Sequence, residues 1–230
     1  MKKNFKTIII LMIIVVGLFA CTNKDVIANA TLKNQVIGNE SITDNSNVLV
    51  LYYDYSENMG DTTGMSLDAI TGASLVNEKH AGVIRNNILV MVDEIKEKTG
   101  ADVFGVKTNE PYAKSYMDMV DIAREDINKN KNFTFKEDID LSKYDTIYIG
   151  MPVWWSRLPQ PFKIFVENHD FVGKKVIPFG IHRGSRFGSM VSQLKEICKG
   201  ANVSDNGLTV SATQSNEKTI SDVDSWLVSN

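Results

Sequence analysis

Five short runs, NVLVLYY (47–53), ADVFGV (101–106), YDTIYIG (144–150), KKVIPFGI (174–181) and NGLTVSA (206–212), are apolar at consecutive rather than alternate positions. A strand written that way is buried on both faces, the condition of a parallel sheet covered by helices on each side. Stretches of helical period separate the runs. Ile84, Ile88, Met91, Val92 and Ile95 share one face of a helix predicted over 83–98, with Gly100 as its stop. Tyr116, Met119, Val120, Ala123 and Ile127 form a second stripe, Phe162, Phe165 and Val166 a short third, Met190, Val191, Leu194 and Ile197 a fourth, and Ile220, Val223, Trp226 and Leu227 the last. The alternation predicts a doubly wound α/β domain: five parallel strands with helices on both faces. Ligands of such sheets sit outside the carboxyl ends of the strands. The loops after the first, third and fourth strands, DYSENMG, GMPVWWSRLPQPF and IHRGSRFGS, are therefore expected to surround one site.

The chain begins with three lysines among its first six residues, then thirteen uncharged, mostly apolar positions at 8–20, then Cys21. A transmembrane helix needs about 20 such residues, so the segment reads as an export signal over 1–20. The run LFAC resembles the lipobox of bacterial lipoproteins, which implies Cys21 as a lipid anchor on the outer face of the cytoplasmic membrane. Cleavage would remove Lys2, Lys3 and Lys6 and no acid. The 25 basic residues then fall to 22 against 28 acidic ones, a net charge of −6. Nucleic acid is not expected as a partner of such a surface. Residues 21–46 are polar and aperiodic and read as a tether, leaving 47–230 as the folded domain. Within it, the Gly-, Ser-, Thr- and Asp-rich stretch 54–82 is too long for a simple connection, which predicts a loop insertion at about 60–82.

Two of the rim loops carry motifs. GMPVWW follows the third strand and HRGSRFG the fourth. In this order and at these strand ends they resemble the GxPxWW and HxGSxxG patterns of the flavodoxin-like family, over roughly residues 47–228. The resemblance implies an FMN cofactor, with Pro152, Val153, Trp154 and Trp155 as one wall for the flavin ring and His182, Arg183, Gly184, Ser185 and Gly188 as the other. Elementary chemistry agrees: a tricyclic planar ring gains by lying on a broad aromatic face, and glycines let backbone N–H groups approach it closely. The alternative for the tryptophans is that they plug the core, Trp155 more readily than Trp154. His182 reads equally as a surface loop residue.

The first loop departs from the family pattern. Flavodoxins place hydroxyls and a glycine around the FMN phosphate, as in TxTGxT, whereas DYSENM has Asp54, Glu57 and Met59 at the corresponding places and keeps Ser56 and Asn58. Two carboxylates repel a phosphate. The insertion is expected to make up the loss with its own hydroxyls and glycines. DAITGAS (68–74) supplies Thr71, Gly72 and Ser74 as phosphate-binding residues, and it also resembles the DxxTGA(T/S) signal of extracytoplasmic flavoproteins that carry FMN covalently, which would place the bond on Ser74. A third alternative is a binding module that keeps the fold without the cofactor.

No cysteine pair at metal spacing, Walker loop or GxSxG elbow is present. His80, His169 and His182 fall on different segments, and Cys198 sits on the apolar side of its helix, where burial is the expectation. The sequence thus leads to an exported, membrane-anchored flavodoxin-like flavoprotein that transfers electrons or acts as an oxidoreductase. Its partner is a redox protein or a small electron acceptor.

Overall fold

The computed structural model describes residues 46–59, 76–80, 83–112 and 116–229. The signal, the tether and most of the insertion lie outside them. In chain order the elements are β1 (Val48–Tyr52), a single helical turn α1 (Tyr55–Asn58), β2 (Val76–His80), β3 (Val83–Asn86), α2 (Asn87–Thr99), β4 (Asp102–Gly105), α3 (Tyr116–Asn128), β5 (Thr146–Pro152), α4 (Gln160–Glu167), β6 (Lys175–His182), α5 (Met190–Ile197), β7 (Asn202–Val203), β8 (Leu208–Ser211) and α6 (Asn216–Leu227).

The sheet runs β4-β1-β5-β6, with β7 and β8 sharing the outer edge of β6, and every pairing in it is parallel. Counting that shared edge as one broken strand gives the five-stranded doubly wound sheet that the apolar runs imply. β7 pairs with Lys175 and Val176, β8 with Phe179 to His182. The gap falls at Ile177 and Pro178, and proline has no N–H for a ladder.

Consecutive residues of β1 serve opposite sides, as a pleated strand requires. Leu49, Leu51 and Tyr53 join Met119, Phe162, Phe165 and Leu194 in one core, beneath α3, α4 and α5. Val50 and Tyr52 join Ile88, Met91, Val92, Val223 and Trp226 in the other, beneath α2 and α6. Burial on both faces is what made these strands continuous apolar runs in the sequence.

The helix expected over 83–98 is displaced. Residues 83–86 form β3, which pairs antiparallel with β2 in a separate two-stranded ribbon, and the helix occupies Asn87–Thr99. Ile84, assigned to the helical stripe, therefore sits on a strand. Its spacing to Ile88 fits both periods, and a four-residue strand running straight into a helix leaves no turn signal between them.

Candidate functional site

All five strands end at one rim, where the loops after β1, β5 and β6 meet. The first of them closes on itself. Asp54, 1% exposed, accepts a hydrogen bond from the Ser56 hydroxyl. The Asn58 amide donates to the carbonyls of Asp54 at 2.8 Å and Val106 at 3.0 Å, and its oxygen accepts from the Thr108 N–H at 2.8 Å, while the Thr108 hydroxyl donates to the Glu110 carbonyl at 2.7 Å. Both amide protons and the oxygen of that side chain are engaged in joining β1 to the exit of β4. Asn58, expected as a phosphate ligand, acts as a brace in this structure, and the one proton of Ser56 is committed to Asp54. Tyr52 donates to Glu57 Oε2 at 2.9 Å. Burial, followed by the Asp54 charge, pushes the Glu57 carboxyl up to about 8 against the opposing pull of Lys107 and the Tyr52 bond. At neutral pH Glu57 is mostly uncharged, so one of the two repelling carboxylates inferred from the sequence is muted.

The second loop separates its adjacent tryptophans. Trp154 and Arg157 exchange backbone hydrogen bonds of 3.1 and 2.8 Å around a two-residue turn. Both central residues lie in the left-handed region, Trp155 at φ 50° and Ser156 at φ 61°. Turns of this hand usually take Asn or Gly, so an indole here is held against its preference. Trp155 projects outward, 46% exposed, with its Nε1 donating to the Val120 carbonyl at 3.2 Å and the Arg124 guanidinium 3.9 Å from the ring centroid. Trp154 turns inward, 5% exposed, and packs against Tyr53, Tyr55 and Tyr112 at 5.5 to 5.8 Å between centroids. The core plug is Trp154, and the exposed indole is Trp155, the reverse of the order in which the sequence favoured them for the core. Among the described residues, Trp154 Nε1 and the Tyr53 and Tyr55 hydroxyls are buried without a hydrogen-bond partner, an unusual concentration of unsatisfied groups under a rim.

Pro152 and Val153 are buried behind this turn, and the Val153 N–H donates to the Ile181 carbonyl at 2.9 Å. Met119, Val120, Ala123, Val153, Trp154, Trp155 and Arg183 line a cleft of about 220 Å³. Larger hollows lie elsewhere, about 360 Å³ beside Tyr112 and Phe133 and about 800 Å³ along the far end of α4. Neither touches the loops after β5 and β6.

The third loop is fastened to the second. The Ser189 N–H and hydroxyl both donate to the Ser156 carbonyl at 2.8 Å. A Cβ on Gly188, at φ 54°, would lie 2.5 Å from that same carbonyl oxygen. Glycine at 188 therefore serves the contact between the loops. His182 Nδ1 accepts the Gly184 N–H at 2.9 Å, while burial and then Arg186 lower its pKa. The ring is neutral at pH 7, and because Nδ1 is an acceptor the proton stands on Nε2. Arg183, Gly184 and Ser185 are exposed.

Sequence reasoning missed Asn87. This first residue of α2 is fully buried, and its amide donates to the carbonyls of Ser211, the last residue of β8, at 3.1 Å and Gln214, just beyond it, at 2.9 Å. The N-terminus of a thirteen-residue helix is thereby fixed at the rim. Its Oδ1 is buried and has no partner among the described residues. A polar residue opening an apolar helical stripe was the available signal. Thr71, Gly72 and Ser74 lie outside the described residues, as does Cys21. Cys198 is buried, and burial pushes its thiol up to about 12. Among the described residues no group of His, Cys, Asp and Glu is placed to hold a metal ion, and no helix is long and apolar enough to cross a membrane.

Comparison with known proteins agrees with the fold. Two structures assigned as flavoproteins, from Bacteroides uniformis and Bacteroides eggerthii, superpose with a TM-score of 0.53 each, at 21% and 22% identity. The superpositions cover 77% and 80% of this chain and 97% and 98% of the other. A flavoprotein in complex with FMN from Lactobacillus acidophilus is 23% identical over 78% of this chain and 97% of its own, with a TM-score of 0.48. No curated protein matches the sequence. The family model described as flavodoxin matches residues 81–227, from just before β3 to the last residue of α6, taking in the loops after β5 and β6 but not the one after β1. This chain belongs to the flavodoxin family.

Proposed function

We propose that the chain binds FMN at the C-terminal rim of its sheet and works as an electron carrier or reductase. In this reading the protein is tethered through Cys21 to the outer face of the cytoplasmic membrane, which rests on the sequence of its first 21 residues. The observation that carries the flavin is Trp155: an indole held outward in a left-handed turn, on a largely apolar cleft that the loop after β6 also lines through Arg183.

The residues present fit such a group. The cleft of about 220 Å³ is below the ~300–1,000 Å³ of whole-ligand pockets and suits the ring portion alone. Trp155, with Val153 beside it, would hold the ring, and Nε2–H of His182 would donate to an acceptor on its edge. The phosphate end would be received at the N-terminus of α2, where the helix dipole favours an anion, and the Oδ1 of Asn87, without a partner among the described residues, would accept from a ribityl hydroxyl. FMN, when bound, supplies reversible uptake of one or two electrons. The chain's own part is to stack the ring and exclude water on the Trp155 side. It also keeps a proton at Nε2 of His182, and it keeps Glu57 protonated so that the nearby loop carries less negative charge.

A cofactor-free binding module is the second reading, and the closed first loop favours it, since Ser56 and Asn58 are consumed within the protein. Titration of the purified chain with FMN separates the two. The proposal expects a one-to-one complex with quenched flavin fluorescence and a perturbed visible spectrum, with the flavin released by acid precipitation. Flavin that stays in the precipitate and is lost on Ser74→Ala would establish the covalent variant. No uptake of added FMN would leave the binding module.

A further inference from the structure

Two rings stand between two hollows of the molecule. Trp154 lines the cleft beside Trp155, and Tyr112 lines the hollow of about 360 Å³ beside Phe133. The rings of Trp154 and Tyr112 meet at 5.5 Å between centroids, and Tyr53 and Tyr55 flank Trp154 at 5.8 and 5.7 Å. All four are buried, but they differ in what their polar atoms meet. Among the described residues, Trp154 Nε1 and the hydroxyls of Tyr53 and Tyr55 have no hydrogen-bond partner. The Tyr112 hydroxyl donates to Oδ2 of Asp126 on α3, a carboxylate 4% exposed whose other oxygen lies 3.3 Å from Lys131 Nζ. Buried polar groups without partners cost stability, a cost that phenylalanine at 53 or 55 would avoid.

That difference has a redox consequence. An oxidised indole or phenol settles as a neutral radical when a base within hydrogen-bond reach takes its proton. Trp154, Tyr53 and Tyr55 have no such base among the described residues, whereas Tyr112 has Asp126. Burial, followed by the bond to Asp126, holds the Tyr112 phenol above its ordinary pKa, so it keeps its proton until it loses an electron. On the outer side, the Arg124 guanidinium 3.9 Å from the Trp155 centroid disfavours positive charge on that ring. An electron vacancy made at the cleft is therefore driven to Tyr112.

We propose that Trp154 and Tyr112 form a one-electron relay between the cleft and the hollow, in which Tyr112 is oxidised as Asp126 takes its proton. A strong one-electron oxidant in the cleft, an oxygen-derived radical by class, takes an electron from Trp154. Tyr112 returns an electron to Trp154, and its phenolic proton passes along the hydrogen bond to Asp126. Trp154 is restored and Tyr112 is left as a neutral radical. A small one-electron reductant reaching the hollow, of the ascorbate or thiol class, then gives Tyr112 an electron while Asp126 gives back the proton. One electron has crossed from reductant to oxidant, and the protein has neither gained nor lost a proton. The relay needs no flavin.

The experiment uses the full chain without added flavin and a flash-generated ruthenium(III) tris-bipyridine complex as oxidant, followed by time-resolved absorption and electron paramagnetic resonance. A tryptophanyl signal should decay into a tyrosyl one. Tyr112→Phe should abolish the tyrosyl signal and leave the tryptophanyl one standing. Asp126→Asn, which keeps an acceptor for the phenol but no base, should slow tyrosyl formation by about tenfold or more. Ascorbate should shorten the tyrosyl lifetime in proportion to its concentration. Should either variant fail to fold, the parent protein still decides. Its tryptophan-to-tyrosine transfer should be slower in deuterium oxide than in water, because a proton moves with the electron. A spin trap should mark the tryptic peptide that holds Tyr112, which cleavage at Lys114 separates from Tyr116. Equal rates in the two solvents, or adducts confined to Trp155 or Tyr116, would overturn the proposal. So would a tyrosyl signal that survives Tyr112→Phe, unchanged kinetics in Asp126→Asn, or a lifetime indifferent to ascorbate. Failure of FMN to bind leaves each of these outcomes standing, so the two proposals fail separately.

Discussion

The loops after β1 and β5 leave neighbouring strands at the same rim, yet one is folded into the protein and the other is held away from it. In the first, Asn58 and Ser56 turn their polar groups inward, and Glu57 gives up its charge to stay near Tyr52. In the second, two residues take left-handed backbone so that Trp155 faces outward while Trp154 fills the floor. Buried hydrogen bonds with full partners stabilise a fold, whereas strained backbone and an exposed indole do not. The contrast teaches that the first loop has become structure and the second has kept a surface for something else.

The sharpest way to break this comparison is at the fastening of the rim. Gly188→Val would place side-chain atoms against the Ser156 carbonyl at a backbone angle that disfavours them, and should cost about 3 kcal/mol in denaturant unfolding while abolishing FMN uptake. Retained binding would show that the Trp155 turn does not depend on the loop below it.

Asn58→Ala should cost about 2–3 kcal/mol, because it strands the Thr108 N–H and two buried carbonyls, yet change FMN affinity by no more than about threefold. A large loss of affinity with little loss of stability would return Asn58 to the binding site.

Glu57→Gln acts in the stabilising direction. The folded chain holds this proton up to about pH 8, well above the ordinary carboxylate value of 4.5, so the stability linked to it is complete below pH 4.5 and is lost as pH rises toward 8. The amide carries no such loss and should be about 1–2 kcal/mol more stable than the parent at pH 8, with the difference closing near pH 4.5. Equal stabilities throughout would mean that Glu57 is ionised and solvated like any surface acid.

The smallest effect concerns Cys198, which should react with thiol reagents at pH 8 at least tenfold more slowly than a free thiol, consistent with its burial and raised pKa.

The sheet was readable because burial on both faces leaves consecutive apolar residues, and Leu49, Val50, Leu51 and Tyr52 are all fully buried. The edge strand was readable only as one element, since its break depends on Pro178 in a different strand. The site was readable as a set of loops but not as a set of roles. Nothing local separates Trp154 from Trp155. Their opposite directions follow from the reciprocal hydrogen bonds between Trp154 and Arg157 and from a nest of tyrosines that the chain supplies from β1 and from beyond β4. Asn58 resembled a family ligand by position and became a brace because Thr108, fifty residues on, bonds to it. Asn87 escaped notice because its partners lie on the far side of the sequence, at Ser211 and Gln214.

The most direct test is the FMN dissociation constant of Trp155→Ala set beside its unfolding midpoint. The account predicts affinity weakened by about tenfold or more, the loss of an aromatic stacking face, with stability within about 1 kcal/mol of the parent. Unchanged FMN affinity, or a loss explained by unfolding, would contradict it.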